Sequence, residues 1–224
     1  MSLSEIPADS LAQAIANSET WEWMAYFLPL VRLLADGAPV SREQLATVLK
    51  RPVAEVAEAL RQCEEIVYDE EGRVVSAGIS LQPTPYHFEV NGHPLYTWCA
   101  LDTLIFPAWT KATAQVSSSC PVTGQPIHLT VTPERLEHFD PGSLVLSVLI
   151  QDGVATCCNI REAFCAYSQF FASHQAASIW QASHPDGHVL SIEEAFTLRQ
   201  ELARLTVQRF QEGKGDRVRP ALFT

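Results

Sequence analysis

Between Ser41 and Leu81 the chain runs through two short helical patterns, a tight turn and an alternating hairpin pattern in immediate succession. Ser41 stands three residues before Gln44 in SREQLATVLK, the spacing of a capping box, and Pro52 opens the second helical pattern, VAEVAEALRQC. The segment EEIVYDEEGRVVSAGISL then alternates around Glu71-Gly72, as a β-hairpin does. Short helices and a two-stranded hairpin are both marginal alone, so each must pack on the other. That requirement predicts a winged-helix-like module over residues 1–82. The same range opens with helical patterns at LAQAIANS and from Trp21 to Leu34, where Trp21, Met24, Phe27, Leu28, Val31 and Leu34 recur at helical spacing until Asp36-Gly37.

Pro83 and Pro85 in LQPTPYHFEV mark the expected boundary, and residues 83–224 read as a mixed α+β domain. A helix is predicted from about Leu95 to Phe106. Strands are predicted at TAQVSSS, QPIHLTVT and SLVLSVLI, the last a nearly continuous apolar run typical of a buried strand. AFCAYSQFFAS reads as strand or turn, AASIWQASH as helix, and Ile192 to about Phe210 as a long helix before a polar tail. The fold class is α+β.

With 224 residues, 47% of them hydrophobic, the chain can bury a sizeable core. Its formal net charge of -11 opposes nucleic acid and anionic membranes, whose nonspecific attraction depends on accumulated Lys and Arg. The candidate recognition helix is itself acidic, carrying Glu55 and Glu58 against Arg61, so a structural role for the module is expected and no nucleic acid or membrane partner. MSLSEIPADS lacks the basic and apolar regions of a signal peptide, and the expected compartment is the cytoplasm. In that compartment Cys63, Cys99, Cys120, Cys157, Cys158 and Cys165 remain thiols.

In YTWCALD, Cys99 and Asp102 lie three residues apart and would share one face of a helix. A helix starting near Pro94 would place Cys99 in its first or second turn, where the macrodipole favours a thiolate and a neighbouring carboxyl can exchange its proton. A buried thiol beside a surface carboxylate is the plainer alternative. Cys157-Cys158 is an adjacent pair whose side chains would diverge on a strand. Cys63 reads as core and Cys120 as a structural thiol. No CxxC, HExxH, GxSxG or phosphate loop is present, and the seven His show no ligand spacing.

The run LYTWCALDTLIFPAWTKATAQVSSSCPVTGQPIHLTVTP, followed by IREAFCAYSQFFAS and SIEEAF, closely resembles the alkylmercury lyases. The likeness extends upstream through APVSREQLATVLKRPVAEVAEAL and YDEEGRVVSAGISL, covering about residues 28 to 205. The resemblance implies a winged-helix-like module followed by a catalytic α+β domain of that family's type. It implies a catalytic trio, Cys99, Asp102 and Cys165, which also serves as the ligand set for mercury, and a structural Cys120. The implied reaction is protonolysis of an alkyl- or arylmercury compound to a hydrocarbon and Hg(II). No organic cofactor is implied. Excess low-molecular-weight thiol supports turnover, and Hg(II) passes to thiols or to mercuric reductase. Trp98, Leu101, Leu104 and Phe106 are candidates for an apolar pocket. Ala166 stands where some members carry a second Cys, AYSQFFAS lacks histidines often found there, and Cys157-Cys158 is an additional pair. A noncatalytic protein that sequesters Hg or Cu with the same thiols is the alternative, distinguished by Asp102, since binding alone needs no proton donor.

Overall fold

A computed structural model describes residue 12 and residues 21–149 and 160–211; the helical pattern LAQAIANS apart from Ala12, the Cys157-Cys158 pair and the tail after Gln211 lie outside the described residues. The described chain begins with α1 (Trp21–Leu34), whose Leu30, Val31 and Leu34 are completely buried. Helix α2 (Arg42–Leu49) starts at the predicted capping box: the Gln44 N–H donates to Ser41 Oγ at 3.1 Å and the Ser41 N–H to Gln44 Oε1 at 2.7 Å. Helix α3 (Val53–Arg61) follows Pro52 and turns Val56 and Leu60 inward.

The hairpin of β1 (Val67–Tyr68) and β2 (Val74–Ala77) forms as predicted, its turn tied by the Asp69 carboxylate, which accepts from the Glu71 and Arg73 N–H groups. The sheet does not stop there. Strand β3 (Ile79–Ser80) pairs with β2 on one side and with β5 (His93–Thr97) on the other. From β5 it continues through β4 (Tyr86–Val90), β6 (Ala114–Ser119), β7 (Pro126–Val131) and β8 (Leu136–Asp140), one antiparallel sheet in the order β1-β2-β3-β5-β4-β6-β7-β8. The expected boundary near Pro83 therefore falls inside a continuous hydrogen-bonded sheet.

The β4–β5 hairpin corrects the predicted helix. Leu95 lies in a strand, paired with Phe88, and the helix α4 runs from Ala100 to Thr110. The cause is local: Asn91 (φ 52) and Gly92 (φ 78) both take the left-handed backbone that a two-residue hairpin turn requires, and Pro94 is accommodated near the open end of β5. A second sheet orders β10 (Phe170–Phe171), β9 (Val145–Val148) and β11 (His188–Ser191). Around it lie α5 (Ile160–Ala163), a 3₁₀ turn at Cys165–Tyr167, α6 (His174–Ser183) and α7 (Ile192–Gln211).

Helix α4 packs on α1, on α7 and on the large sheet, so nearly all of its circumference is buried. Arg199 of α7, only 4% exposed, is satisfied by backbone carbonyls, with Nε donating to Leu104 at 3.2 Å and Nη2 to Pro133. Arg32 of α1 donates from Nε to the Trp109 carbonyl at 2.6 Å. No helix among the described residues is long and apolar enough to cross a membrane.

Candidate active site

Cys99 is the N-cap of α4, one step outside the helix, with extended backbone (φ -145, ψ 172). Its side chain accepts from the Asp102 backbone N–H, while its own N–H donates to the Asp102 carboxylate at 3.2 Å. This is a capping box in which a thiol takes the place of the usual hydroxyl and Asp the place of Glu. The three-residue spacing thus has a structural origin in the start of the helix. The same spacing holds the sulfur on the positive end of α4, where a negative charge is favoured.

The other two leading N–H groups of α4 go to one residue. Ala100 N–H donates to the Ser168 carbonyl and Leu101 N–H to Ser168 Oγ, both at 3.1 Å. Ser168 closes the 3₁₀ turn by donating its N–H to the Cys165 carbonyl at 3.1 Å, and its own carbonyl also accepts from the Tyr86 hydroxyl at 3.3 Å. The turn is anchored to β9, where Ser147 Oγ donates to the Tyr167 carbonyl at 2.7 Å and the Ser147 N–H to the Gln169 carbonyl at 2.9 Å. These bonds carry Cys165 to Cys99 from far along the chain. The two sulfurs and an Asp102 carboxylate oxygen all lie within 4.8 Å of one another, and this is the one such trio of candidate metal ligands among the described residues.

The two thiols are opposed electrically. Burial pushes Cys99 up, but hydrogen bonds from Cys165, from the Asp102 N–H and side chain and from Ser168 outweigh it and bring the thiol down to about 7. Cys165 is raised well above the ordinary thiol range, first because it hydrogen bonds to Cys99, then by its own burial and by the negative charges of Cys99, Asp102 and Glu65. One sulfur is therefore poised as a thiolate while its neighbour keeps the proton. Tyr86, buried beside the trio, has its phenol pushed up by that burial and then by the proximity of Cys99, Cys165 and Asp102.

Cys165 and Asp102 line a cavity of about 90 Å³ with largely apolar walls, while Cys99 is fully buried behind them. Of the four predicted pocket residues, Trp98, Leu101 and Phe106 line it; Leu104 is fully buried in the core instead. The helical module supplies a wall as well, through Met24, Phe27, Cys63 and Ile66. Cys63, expected as core, is buried and also faces this space. At the rim, Trp98 donates from Nε1 to Ser76 Oγ at 2.7 Å, and the Arg161 guanidinium lies 5.3 Å from the Trp98 ring. Glu65, its carboxyl raised by burial, accepts the Arg161 N–H at 3.0 Å on both oxygens and so ties α5 to the helical module.

Cys120 sits at the end of β6, outside the trio. Burial raises its thiol, but hydrogen bonds from Thr123, Val122 and the Ala172 backbone bring it below the ordinary value. The residues that sequence reasoning missed are Ser168 and Tyr86. No spacing rule links either of them to Cys99; only the docking of the 3₁₀ turn against α4 and β4 does.

Residues 79–204 match the alkylmercury lyase family, and residues 3–78 match the helix-turn-helix domain of alkylmercury lyase. The chain is 43% identical over 198 residues to an alkylmercury lyase of Bacillus cereus, covering 88% of this chain and 87% of that one. An alkylmercury lyase of Streptomyces lividans is 44% identical over 183 residues, 82% of each chain. Among solved structures, the mercury-bound form of MerB2 has the same fold, with a TM-score of 0.70 at 22% identity over 90% of this chain and 100% of the other.

Proposed function

The chain belongs to the alkylmercury lyase family and is an enzyme of that type, and from that premise we propose that it breaks the carbon–mercury bond by protonolysis at Cys99, Cys165 and Asp102. The observation that carries this reading is the meeting of two thiols and a carboxyl within 4.8 Å, with Cys165 and Asp102 of that trio lining an apolar cavity. Mercury is a soft metal and thiolates are its fitting ligands, while the organic group it carries needs an apolar wall.

The Cys99 thiolate attacks mercury and displaces the exogenous thiolate that the organomercurial brings. Cys165 gives its proton to the Asp102 carboxylate and adds its sulfur to mercury. Mercury then holds two protein thiolates and the organic group, and electron density shifts toward carbon. Asp102 delivers its proton to that carbon, the carbon–mercury bond breaks, and its electron pair becomes the new C–H bond. The products are a hydrocarbon and Hg(II) on Cys99 and Cys165, with Asp102 again a carboxylate. Two molecules of low-molecular-weight thiol then take the metal, restoring the protein sulfurs, and pass it onward as a bis-thiolate to an acceptor such as mercuric reductase. No organic cofactor enters these steps.

The noncatalytic metal-sequestering reading does not stand beside the family assignment. The helical module serves as a cavity wall in this account. Its α3 surface, with Glu55 ion-paired to Arg51 and Glu58 to Arg61, offers no cationic face to a phosphate backbone.

The test is release of ethane from ethylmercury in the presence of excess thiol. Wild type releases it catalytically, whereas Cys99→Ser and Cys165→Ser lose nearly all turnover. Asp102→Asn, which keeps an oxygen for the N-cap but cannot deliver the proton, binds Hg(II) and loses about 100-fold or more in kcat. Turnover by either serine variant at the wild-type rate would sink the mechanism.

A further inference from the structure

One end of the β4–β5 hairpin touches both cysteine-bearing segments. Tyr86, the first residue of β4, stands directly opposite Thr97, the last of β5. Opposed residues of an antiparallel pair project from the same face of the sheet, with Cβ atoms about 5 Å apart. Both are buried, Thr97 completely. The Thr97 hydroxyl donates to the Cys99 carbonyl at 2.9 Å, across the step from strand to helix. The Tyr86 hydroxyl donates to the Ser168 carbonyl at 3.3 Å, and its ring meets Phe170 edge-on at 6.2 Å, so it holds the chain just beyond Cys165.

Ser168 passes that hold to both sulfur-bearing segments. Its N–H donates to the Cys165 carbonyl, and its own carbonyl is shared between the Tyr86 hydroxyl and the N–H of Ala100, the residue after Cys99. Burial pushes the Tyr86 phenol up, so it keeps its proton and remains a donor. Each hydroxyl thus bonds to backbone beside a sulfur, and the two bonds start from one cross-strand pair. Both sulfurs must reach one mercury atom before the bond to carbon weakens, and a displacement of about 1 Å in a reacting group can cost on the order of 100-fold in rate.

We propose that Tyr86 and Thr97 are positioning residues for the lyase reaction, their paired hydroxyls fixing the Cys165 turn against the Cys99 helix start so that the second sulfur can join the first on mercury. The inference rests on the reading of Cys99, Cys165 and Asp102 as the reacting trio. Loss of either hydroxyl leaves Cys99 able to capture the organomercurial and slows the step that needs both sulfurs and the proton. The loss therefore belongs to the maximal rate and not to substrate affinity.

Single-turnover cleavage of ethylmercury tests it, with enzyme in excess and ethane measured, so that release of Hg(II) to exogenous thiol does not enter the rate. Rates are expressed per folded enzyme, from circular dichroism and thermal unfolding. Tyr86→Phe keeps the ring on Phe170 and loses only the hydroxyl; Thr97→Val keeps the shape, and Thr97→Ser keeps the hydroxyl. Tyr86→Phe and Thr97→Val should each lose about tenfold in maximal rate, with half-saturation changed by less than about threefold, while Thr97→Ser stays within about twofold of wild type. Tyr68→Phe removes a comparable phenol hydroxyl, one that donates to the Leu60 carbonyl at 3.4 Å, and should leave the rate unchanged. The two Thr97 variants carry the test alone if Tyr86→Phe does not fold. An unchanged maximal rate in Tyr86→Phe and Thr97→Val overturns the proposal. So does an equal loss in Thr97→Ser and Thr97→Val, or in Tyr68→Phe and Tyr86→Phe, because the loss would then follow from disturbing any buried side chain. Absence of ethane from wild type removes the lyase mechanism itself, a failure distinct from wild-type cleavage that the variants share in full.

Discussion

Cys99 holds a helix-capping position, and in the proposed mechanism the same residue is the nucleophile. A hydroxyl there would satisfy the Asp102 N–H equally well, so the thiol is a chemical choice laid on a structural site. Its poise at about 7 is opposed by burial and sustained by neighbouring donors, Ser168 among them. Because the reactive form is the deprotonated one, activity should rise with pH. The kcat/KM profile, taken with the concentration of exogenous thiolate held constant, should show a rising limb near pH 7. Ser168→Ala removes the Oγ that accepts from Leu101 N–H and interacts with the Cys99 thiol, so the limb should move to higher pH. The same change leaves a buried N–H unpaired, at a cost of about 1–3 kcal/mol in stability measured by urea unfolding. A limb that stays in place in Ser168→Ala would remove Ser168 from the support of the thiolate.

Among the elements, the bend between β2 and β3 constrains the cavity most tightly. Gly78 takes φ +73 and brings the backbone against Phe27 and Phe106. Gly78→Ala therefore meets two penalties, a left-handed backbone and a steric one. The backbone component alone is on the order of 1–3 kcal/mol. Urea unfolding should register at least that loss, and displacement of the two rings should lower turnover of ethylmercury. Full stability in Gly78→Ala would mean that the wall is softer than its contacts indicate. The helix α4 was foreseen from sequence but begins five residues later than expected, because the β4–β5 hairpin claims Leu95. The signal for that hairpin was legible in Asn91-Gly92 between alternating segments, and was obscured by the neighbouring prolines.

Over the whole molecule, the helical module and the larger α+β part share one sheet and one cavity. Strand β3 bonds to β2 on one side and β5 on the other, and Met24, Phe27, Cys63 and Ile66 face the same space as Cys165. Separate unfolding of the two parts would expose an apolar wall and an unpaired strand edge at once. Urea transitions followed by tryptophan fluorescence and by far-ultraviolet circular dichroism should therefore coincide, as for a single cooperative unit. Two resolved transitions would show that the shared sheet does not couple the parts.

Local patterns sufficed for whatever depends on near neighbours: the α2 capping box, the β1–β2 hairpin, the run of α7 and the Cys99–Asp102 spacing are all written within a few turns of chain. Family likeness supplied the third member, Cys165, as an expectation. What the sequence could not specify was the company these residues keep. Ser168 reaches α4 through hydrogen bonds that span 67 residues, and Phe27 reaches Trp109 from another helix. Such contacts leave no periodic trace, because periodicity records which face of an element is buried and not what lies against it. The acidity of Cys99, the partnership of the two thiols and the size of the cavity were decided only when the chain closed around α4.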